Sequence, residues 1–378
     1  MKRIADLFDP IRFLLMFIII FGIPLLGCES NKQIRIGFIG GTTGRAADTG
    51  VSARDAVQLA VAQCNEQGGI AGRHIRLIIK DDQNSTEVAI QAVQELIEED
   101  VAAIVGPLAS DMAIAITPYL NKAQVVAVGT TVTTEYLSGS DDHFFRVCFT
   151  TREHASRSAR YQLRSGGMRR VAAAYDGGNL SFSQNWLENF KMHFMAGGGE
   201  ILRAIEFRTE DGRSFSEIAR GLLAVDPDGI LIIANSMDSA LLCQQIRKSN
   251  QSIKITLSNW GATQRLVEMG GKAVEGATMP IAFDWNSQSP PYQSFRKIYF
   301  ERYKREPGFS GAYAYDAAQV VLKALKAKER SQRLKETILS IHEFDGLQGK
   351  ISFDHYGDVK QANASIRMVR NQKFVVVE

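Results

Sequence analysis

The sequence predicts an α/β protein built as two doubly wound parallel-sheet lobes. Three observations predict it: short apolar runs alternate with segments of helical apolar spacing, the alternation restarts once midway, and no low-complexity linker divides the two series. Strands separated by single helices require parallel crossovers, which wind a sheet with helices on both faces.

Residues 34–39 form a short apolar run stopped by Gly40 and Gly41. Ala53, Ala56, Val57, Ala60, Val61 and Cys64 then recur at helical spacing over residues 52–67, and Gly68-Gly69 ends the pattern. Residues 74–80 alternate as a strand, 86–98 read as a helix, 101–105 as a buried strand halted by Gly106-Pro107, 110–121 as a helix and 124–128 as a strand. After Phe144-Phe145-Arg146 the order begins again. Helices are expected at 153–164, 183–195, 214–224 and 238–248, and strands at 170–175, 200–207, 229–233 and 254–257. The remainder is less regular, with helices near 294–304 and 312–327 and three strand-like runs to the end. The short connections mean that strands, not a floppy tether, join the lobes.

The first 28 residues follow another logic. Lys2, Arg3 and Arg12, offset by Asp6 and Asp9, precede an apolar run at 13–26 that only Gly22 and Pro24 interrupt. That run is shorter than the roughly 18 residues of a membrane span and suits a secretory signal over residues 1–27. Leu25-Leu26-Gly27-Cys28 resembles a bacterial lipobox, in which the cysteine is lipidated and becomes the new N-terminus. An ordinary signal peptide, or a signal anchor, with a chance cysteine is the alternative. Residues 28–33 would then be a lipidated tether.

Composition excludes several classes. Net charge is only +3, with no basic stripe, so nothing points to nucleic acid. Cys64, Cys148 and Cys243 lack metal-like spacing and sit in apolar periodic segments, as buried thiols do. Gly37-Phe38-Ile39-Gly40-Gly41-Thr42-Thr43-Gly44 has neither the dinucleotide fingerprint nor a phosphate-loop ending. No catalytic or metal motif occurs, the scattered histidines read as surface or internally satisfied residues, and no cofactor is expected. Asp81-Asp82 ends a strand with its side chains on opposite faces and reads as a solvated or capping pair.

Ligands in open α/β sheets bind beyond the C-terminal ends of strands. Those ends are rich in Gly, Ser, Thr and Asn here, and hydroxyls with helix N-terminal amides suit a carboxylate. Ser110 could be an ordinary N-cap, a cleft residue, or both. The threonines at 130, 131, 133 and 134 could equally form a polar loop, and Trp260 could be core or cleft wall.

From about residue 34 to 353 the chain resembles the type I periplasmic binding proteins of the leucine/isoleucine/valine class, the receptor components of ABC importers. The matching stretches are Asn65-Glu66-Gln67-Gly68-Gly69-Ile70-Ala71-Gly72, Lys80-Asp81-Asp82, Ala103-Ile104-Val105-Gly106-Pro107 and Thr131-Val132-Thr133-Thr134-Glu135-Tyr136-Leu137. Phe144-Phe145-Arg146, Gly270-Gly271-Lys272-Ala273-Val274-Glu275-Gly276 and Ala314-Tyr315-Asp316-Ala317 complete them. The resemblance implies a binding protein, not an enzyme, that closes on a small carboxylate-bearing ligand and delivers it to ABC permease subunits. It implies a three-strand hinge, with crossings near Thr150, Pro280 and Phe344. One lobe would comprise residues 34–150 and 281–343, the other 151–280 and 344–378. It places Ser110, Thr131 and Thr133 on the ligand carboxylate, with Thr49, Phe182, Ser236 and Tyr313 near the cleft.

The departures bear on specificity. Members that bind amino acids carry an acid where Trp260 stands, to pair with the α-ammonium. Ser258-Asn259-Trp260-Gly261 offers none, and Asp238 or Asp284 is the candidate substitute. The family's first-lobe cysteine pair is replaced by Asn84 and Ala109. A branched-chain or other amino acid is the default ligand. The alternatives are an amine-free carboxylate, aromatic or other, with a ring stacking on Trp260 and Phe182, and a ligand-sensing lipoprotein that feeds a separate sensor.

Overall fold

A computed structural model describes residues 33–329, 331–360 and 364–378. The expectations for the signal segment and for lipidation of Cys28 lie outside these residues.

The first sheet is five-stranded and parallel, in the order β2-β1-β3-β4-β5: β1 Ile34–Gly40, β2 Ile75–Asp81, β3 Ile104–Val105, β4 Ala127–Gly129 and β5 Phe144–Arg146. Helices α1 (Ala47–Glu66), α2 (Thr86–Glu98) and α3 (Ser110–Ala123) make its crossovers. Successive strand side chains face opposite ways, so a sheet covered on both sides needs apolar residues at consecutive positions. In β1, Ile36 and Phe38 pack with Ala53, Val57 and Ala60 of α1, while Ile39 packs with Val93, Leu96 and Met112 of α2 and α3. The α1 residues recur at helical spacing, as the sequence predicts.

The observed α1 begins at Ala47, five residues before the sequence pattern suggests. The reason is Gly50, which reads as a loop residue but lies in the first turn. A Cβ there would stand 1.8 Å from the Gly41 carbonyl oxygen, so only glycine lets the helix lie directly on the loop after β1.

The second sheet has seven strands, in the order β14-β13-β10-β9-β8-β6-β7. Parallel strands β6 (Arg170–Asp176), β7 (Glu200–Phe207), β8 (Gly229–Ile233), β9 (Lys254–Leu257) and β10 (Thr278–Ile281) form its body. The intervening helices are α4 (Thr151–Tyr161), α5 (Leu180–Ala196), α6 (Phe215–Leu223), α7 (Ser236–Ser249) and α8 (Gln264–Gly270). β8 is buried throughout: Ile230 and Ile232 join Leu222 and Leu242, whereas Leu231 and Ile233 join Trp186 and Phe190. The sheet ends in an antiparallel pair, β13 (Ser365–Arg370) and β14 (Lys373–Val376), so this lobe is not purely parallel.

After β10, α9 (Pro290–Tyr303), α10 (Gly308–Ala327) and α11 (Leu334–Ser340) return the chain to the first lobe, where the Tyr299 hydroxyl donates to Ser52. The hairpin β11 (Phe344–Gly346) and β12 (Gly349–Ile351) corrects the expected boundary at Phe344. Leu347 N–H donates to Asp316 at 2.9 Å, the Phe353 ring meets Phe145 at 5.4 Å, and Arg146 pairs with Asp358 at 2.5 Å. The chain is therefore still packed on the first lobe at Asp358 and enters the second sheet at Ser365. Phe344 and Phe353 are held by aromatic neighbours there, which a strand-like pattern alone cannot reveal. The middle crossing also falls later than Pro280. Pro280 pairs with Ile366, Asp284 with Arg367, and Trp285 stacks on Phe374 at 4.9 Å, all in the second lobe.

Among the described residues no helix is long and apolar enough to cross a membrane. Cys64, Cys148 and Cys243 are buried free thiols.

Candidate ligand-binding site

Strand ends from both sheets border one space. Ala46 and Thr49 follow β1, Asn84 follows β2, Leu108, Ala109 and Ser110 follow β3, and Thr131 follows β4. Opposite them stand Asn179 and Phe182 after β6, and Asn259 and Trp260 after β9, with Phe309 of α10 closing the side. This part encloses about 40 Å³. Toward the hinge it adjoins about 20 Å³ bordered by Thr133, Cys148, His154, Ile281, Ala282, Phe283 and Tyr313, with Thr131, Asn259 and Phe309 shared. A larger cavity of about 360 Å³ lies among α1, α9, α10 and the β11–β12 hairpin, on one lobe and away from the sheet ends.

Local folding aims these side chains. The close approach at Gly50 sets Thr49 against the cavity. Asp81 ties the loop after β1 to the end of β2, accepting from Thr42 N–H at 2.9 Å and the Thr43 hydroxyl at 2.7 Å. Asp82 is buried, not solvated; burial pushes its carboxyl up to about 6. Ser110 is the first residue of α3 and not its cap, because Ala109 holds the cap position. The Ser110 hydroxyl accepts from Thr134 N–H at 3.4 Å and keeps its own hydrogen to give. The Thr131 hydroxyl donates to the Leu108 carbonyl at 2.8 Å, so any contact it makes with a carboxylate runs through its N–H. Buried Trp186 donates its indole N–H to Asn259 at 3.2 Å, which orients that amide beside Trp260. Trp260 meets Phe182 edge to face at 5.4 Å.

The lobes are closed on one another. Asp48 of α1 accepts from Ser236 at 3.0 Å and Thr263 at 2.8 Å, both of the second lobe. Asp111 accepts the Leu180 and Ser181 N–H groups at 2.7 and 2.8 Å, so a first-lobe carboxylate caps the N-terminus of α5. Glu135 takes Asn189 at 2.7 Å and Arg152 at 2.6 Å, and Arg45 pairs with Asp238. Small-molecule pockets hold about 300 Å³ or more, so a ligand of amino-acid size enters only when the lobes part.

Electrostatically the lining is neutral, with no acidic side chain among the bordering residues. Neither candidate countercharge is available: Asp238 is engaged by Arg45 and Asn235, and Asp284 by Arg367. Burial drives the His154 ring down to about 4, leaving it uncharged at neutral pH. Among the described residues no cluster of His, Cys, Asp or Glu could hold a metal.

The structure thus gathers Ser110, Thr131, Thr133, Thr49, Phe182, Trp260 and Tyr313 around one interlobe space. Ser236 is the exception; its hydroxyl is engaged by Asp48 and it does not border the cavity. Sequence reasoning missed Asn179 and Asn259, which had only their strand-end position to mark them. It also missed His154, buried with its Nδ1 unpaired although read as surface or satisfied. Helix phase could have found it, since Ala155 and Ala159 fix a buried face beside it.

A family model described as periplasmic binding protein matches residues 33–373. A Leu/Ile/Val-binding protein of Rhizobium johnstonii is 24% identical over 356 residues, covering 92% of this chain and 95% of the relative. The crystal structure of a leucine-binding protein from Thermotoga maritima superposes with a TM-score of 0.83 at 26% identity, covering 91% of this chain and 98% of that one. A solute-binding protein of an ABC transporter from R. palustris, solved with benzoate, gives 0.82 at 17% identity, covering 92% and 96%.

Proposed function

The chain belongs to the periplasmic binding protein family, and from that premise we propose that it captures a small carboxylate-bearing solute between its lobes. It presents the loaded, closed form to the transmembrane subunits of an ABC importer. It works at the periplasmic side of a bacterial membrane, held there by a lipid on Cys28. The work is binding: contacts made to both lobes at once favour the closed state, a shift of population without chemistry.

The observation that carries this reading is the lining itself. Ser110 offers a hydroxyl hydrogen and Thr131 and Thr133 lie beside it, while the facing lobe contributes amides and aromatic rings. Branched-chain amino acids are the ligands named for the Rhizobium and Thermotoga relatives and are the default by kinship. A second reading, an amine-free carboxylate, is favoured by the ion pairs that occupy Asp238 and Asp284, because a buried ammonium without a carboxylate is costly. The Phe182–Trp260 pair suits an aromatic ring.

A thermal-shift screen tests both. A ligand at 100 times its dissociation constant adds about 2.7 kcal/mol of stability. Leucine, valine and benzoate are the first probes. Stabilisation by the amino acids alone removes the amine-free reading, and stabilisation only by compounds lacking a carboxylate sinks both.

A further inference from the structure

The hinge end of the interlobe space holds polar atoms that the carboxylate contacts leave unused. His154 and Thr133 are 4% and 2% exposed, and both border the cavity of about 20 Å³. The His154 Nδ1 and the Thr133 hydroxyl have no hydrogen-bond partner in the protein. A buried polar atom left unpaired costs about 1–3 kcal/mol, so two facing one cavity call for a shared occupant.

The chemistry of that occupant follows from the walls. The His154 ring is neutral at physiological pH, so it attracts neither a second carboxylate nor an ammonium by charge, yet Nδ1 can give or take one hydrogen bond. The other titratable groups bordering the cavity, Cys148 and Tyr313, are pushed up by burial and stay neutral too. Phe283 and Phe309 complete an apolar surround. Thr131 borders both parts of the space, so whatever meets His154 sits close to the carboxylate.

We propose that His154 and Thr133 form a specificity subsite for an uncharged oxygen on the carbon next to the ligand carboxylate, so that 2-hydroxy or 2-oxo acids are preferred over amino acids. The inference rests on the carboxylate capture proposed above and names the ligand class within it.

Calorimetric titration of the purified chain with matched acids tests it. One set is 2-hydroxy-4-methylpentanoate, 2-oxo-4-methylpentanoate, unsubstituted 4-methylpentanoate and leucine; the second carries a phenyl side chain, from mandelate to phenylacetate. In at least one set the oxygen-bearing acid binds at least tenfold tighter than its unsubstituted partner and than the amino acid. His154→Leu erases that preference, and His154→Gln, which keeps a neutral hydrogen-bonding group, retains most of it. Where His154→Leu does not fold, Thr133→Val supplies the same comparison. Equal affinity for substituted and unsubstituted acids, tightest binding of leucine, or a preference that survives His154→Leu and Thr133→Val overturns the subsite and leaves carboxylate capture standing. A cavity of this size also suits a single ordered water, and that role predicts the same lack of discrimination. Failure of every acid to bind overturns carboxylate capture and the subsite together.

Discussion

Replacing Asp48 by alanine tests whether closure is part of binding. Asp48 lies on the first lobe and accepts from two hydroxyls of the second, Ser236 at 3.0 Å and Thr263 at 2.8 Å. Both bonds vanish when the lobes part, and water then hydrates all three groups. A hydrogen bond to a charged group contributes about 1.5–3 kcal/mol net. The gain is reduced because the second Asp48 oxygen is buried in the closed form with no partner, a penalty of about 1–3 kcal/mol. Two such bonds less that penalty favour closure by roughly 2–3 kcal/mol at mid-range, so Asp48→Ala should weaken ligand binding by about 30–140-fold, at about 1.4 kcal/mol per tenfold. Asp48→Asn keeps one acceptor oxygen and should weaken it less. Calorimetry reads the affinity, and small-angle scattering reads the radius of gyration with and without ligand. Unchanged affinity together with an unchanged scattering curve for Asp48→Ala would refute the coupling of this contact to capture.

Further predictions concern the ligand, pH and the anchor. Ser110→Ala should weaken carboxylate binding about tenfold or more, from one lost charge-assisted hydrogen bond, while leaving a cooperative melt; unchanged affinity removes Ser110 from the site. Asp316, buried in the first lobe, has its carboxyl pushed up to about 7 by desolvation, against the opposing Leu347 N–H. A group raised above its unfolded value of 3.8 gives its full stability below that pH and loses it as pH rises to about 7. Asp316→Asn should therefore match the parent near pH 4 and exceed it by a few kcal/mol at pH 8, as read by denaturant melts at both values; parallel curves contradict this. Cys28→Ser should move the protein from the membrane fraction to the soluble one, and retention in the membrane supports a signal anchor instead.

Much of the fold is legible because burial on both faces imposes simple patterns. The unbroken apolar run 229–233 has the length and isoleucine content of an inner strand, and the spacing of Ala53, Ala56, Val57 and Ala60 follows one helix face. Legibility fails where tertiary partners decide. The hairpin at Phe344–Ile351 looks alike on either lobe, and the rings of Phe145 and Phe353 settle its place. Strand-end position marked most of the segments that border the candidate site, while the choice of Ser110, Thr131, Thr133, Thr49, Phe182 and Tyr313 within and beside them came from the family resemblance. The charges of the site were not legible: Asp238 looks available until Arg45, 193 residues away, is seen to reach it. His154 is a partial case, since helix phase marks its buried face but not the unpaired Nδ1.

The interleaved path of the chain has a consequence for its synthesis. Ser52 bonds to Pro307, Asp55 to Arg305, and Arg146 to Asp358, so the first lobe is closed by contacts 212 to 255 residues apart. Contacts of such long sequence separation slow folding, because loop closure must precede their reward. A nascent chain cannot complete that lobe before about residue 360 leaves the ribosome, when nearly the whole protein exists. Residues 1–27, which the sequence predicts to be a secretory signal, emerge first, long before the first lobe has a finished core. The order in which the first lobe can fold therefore keeps that lobe threadable through the interval in which an export machinery would act on the chain.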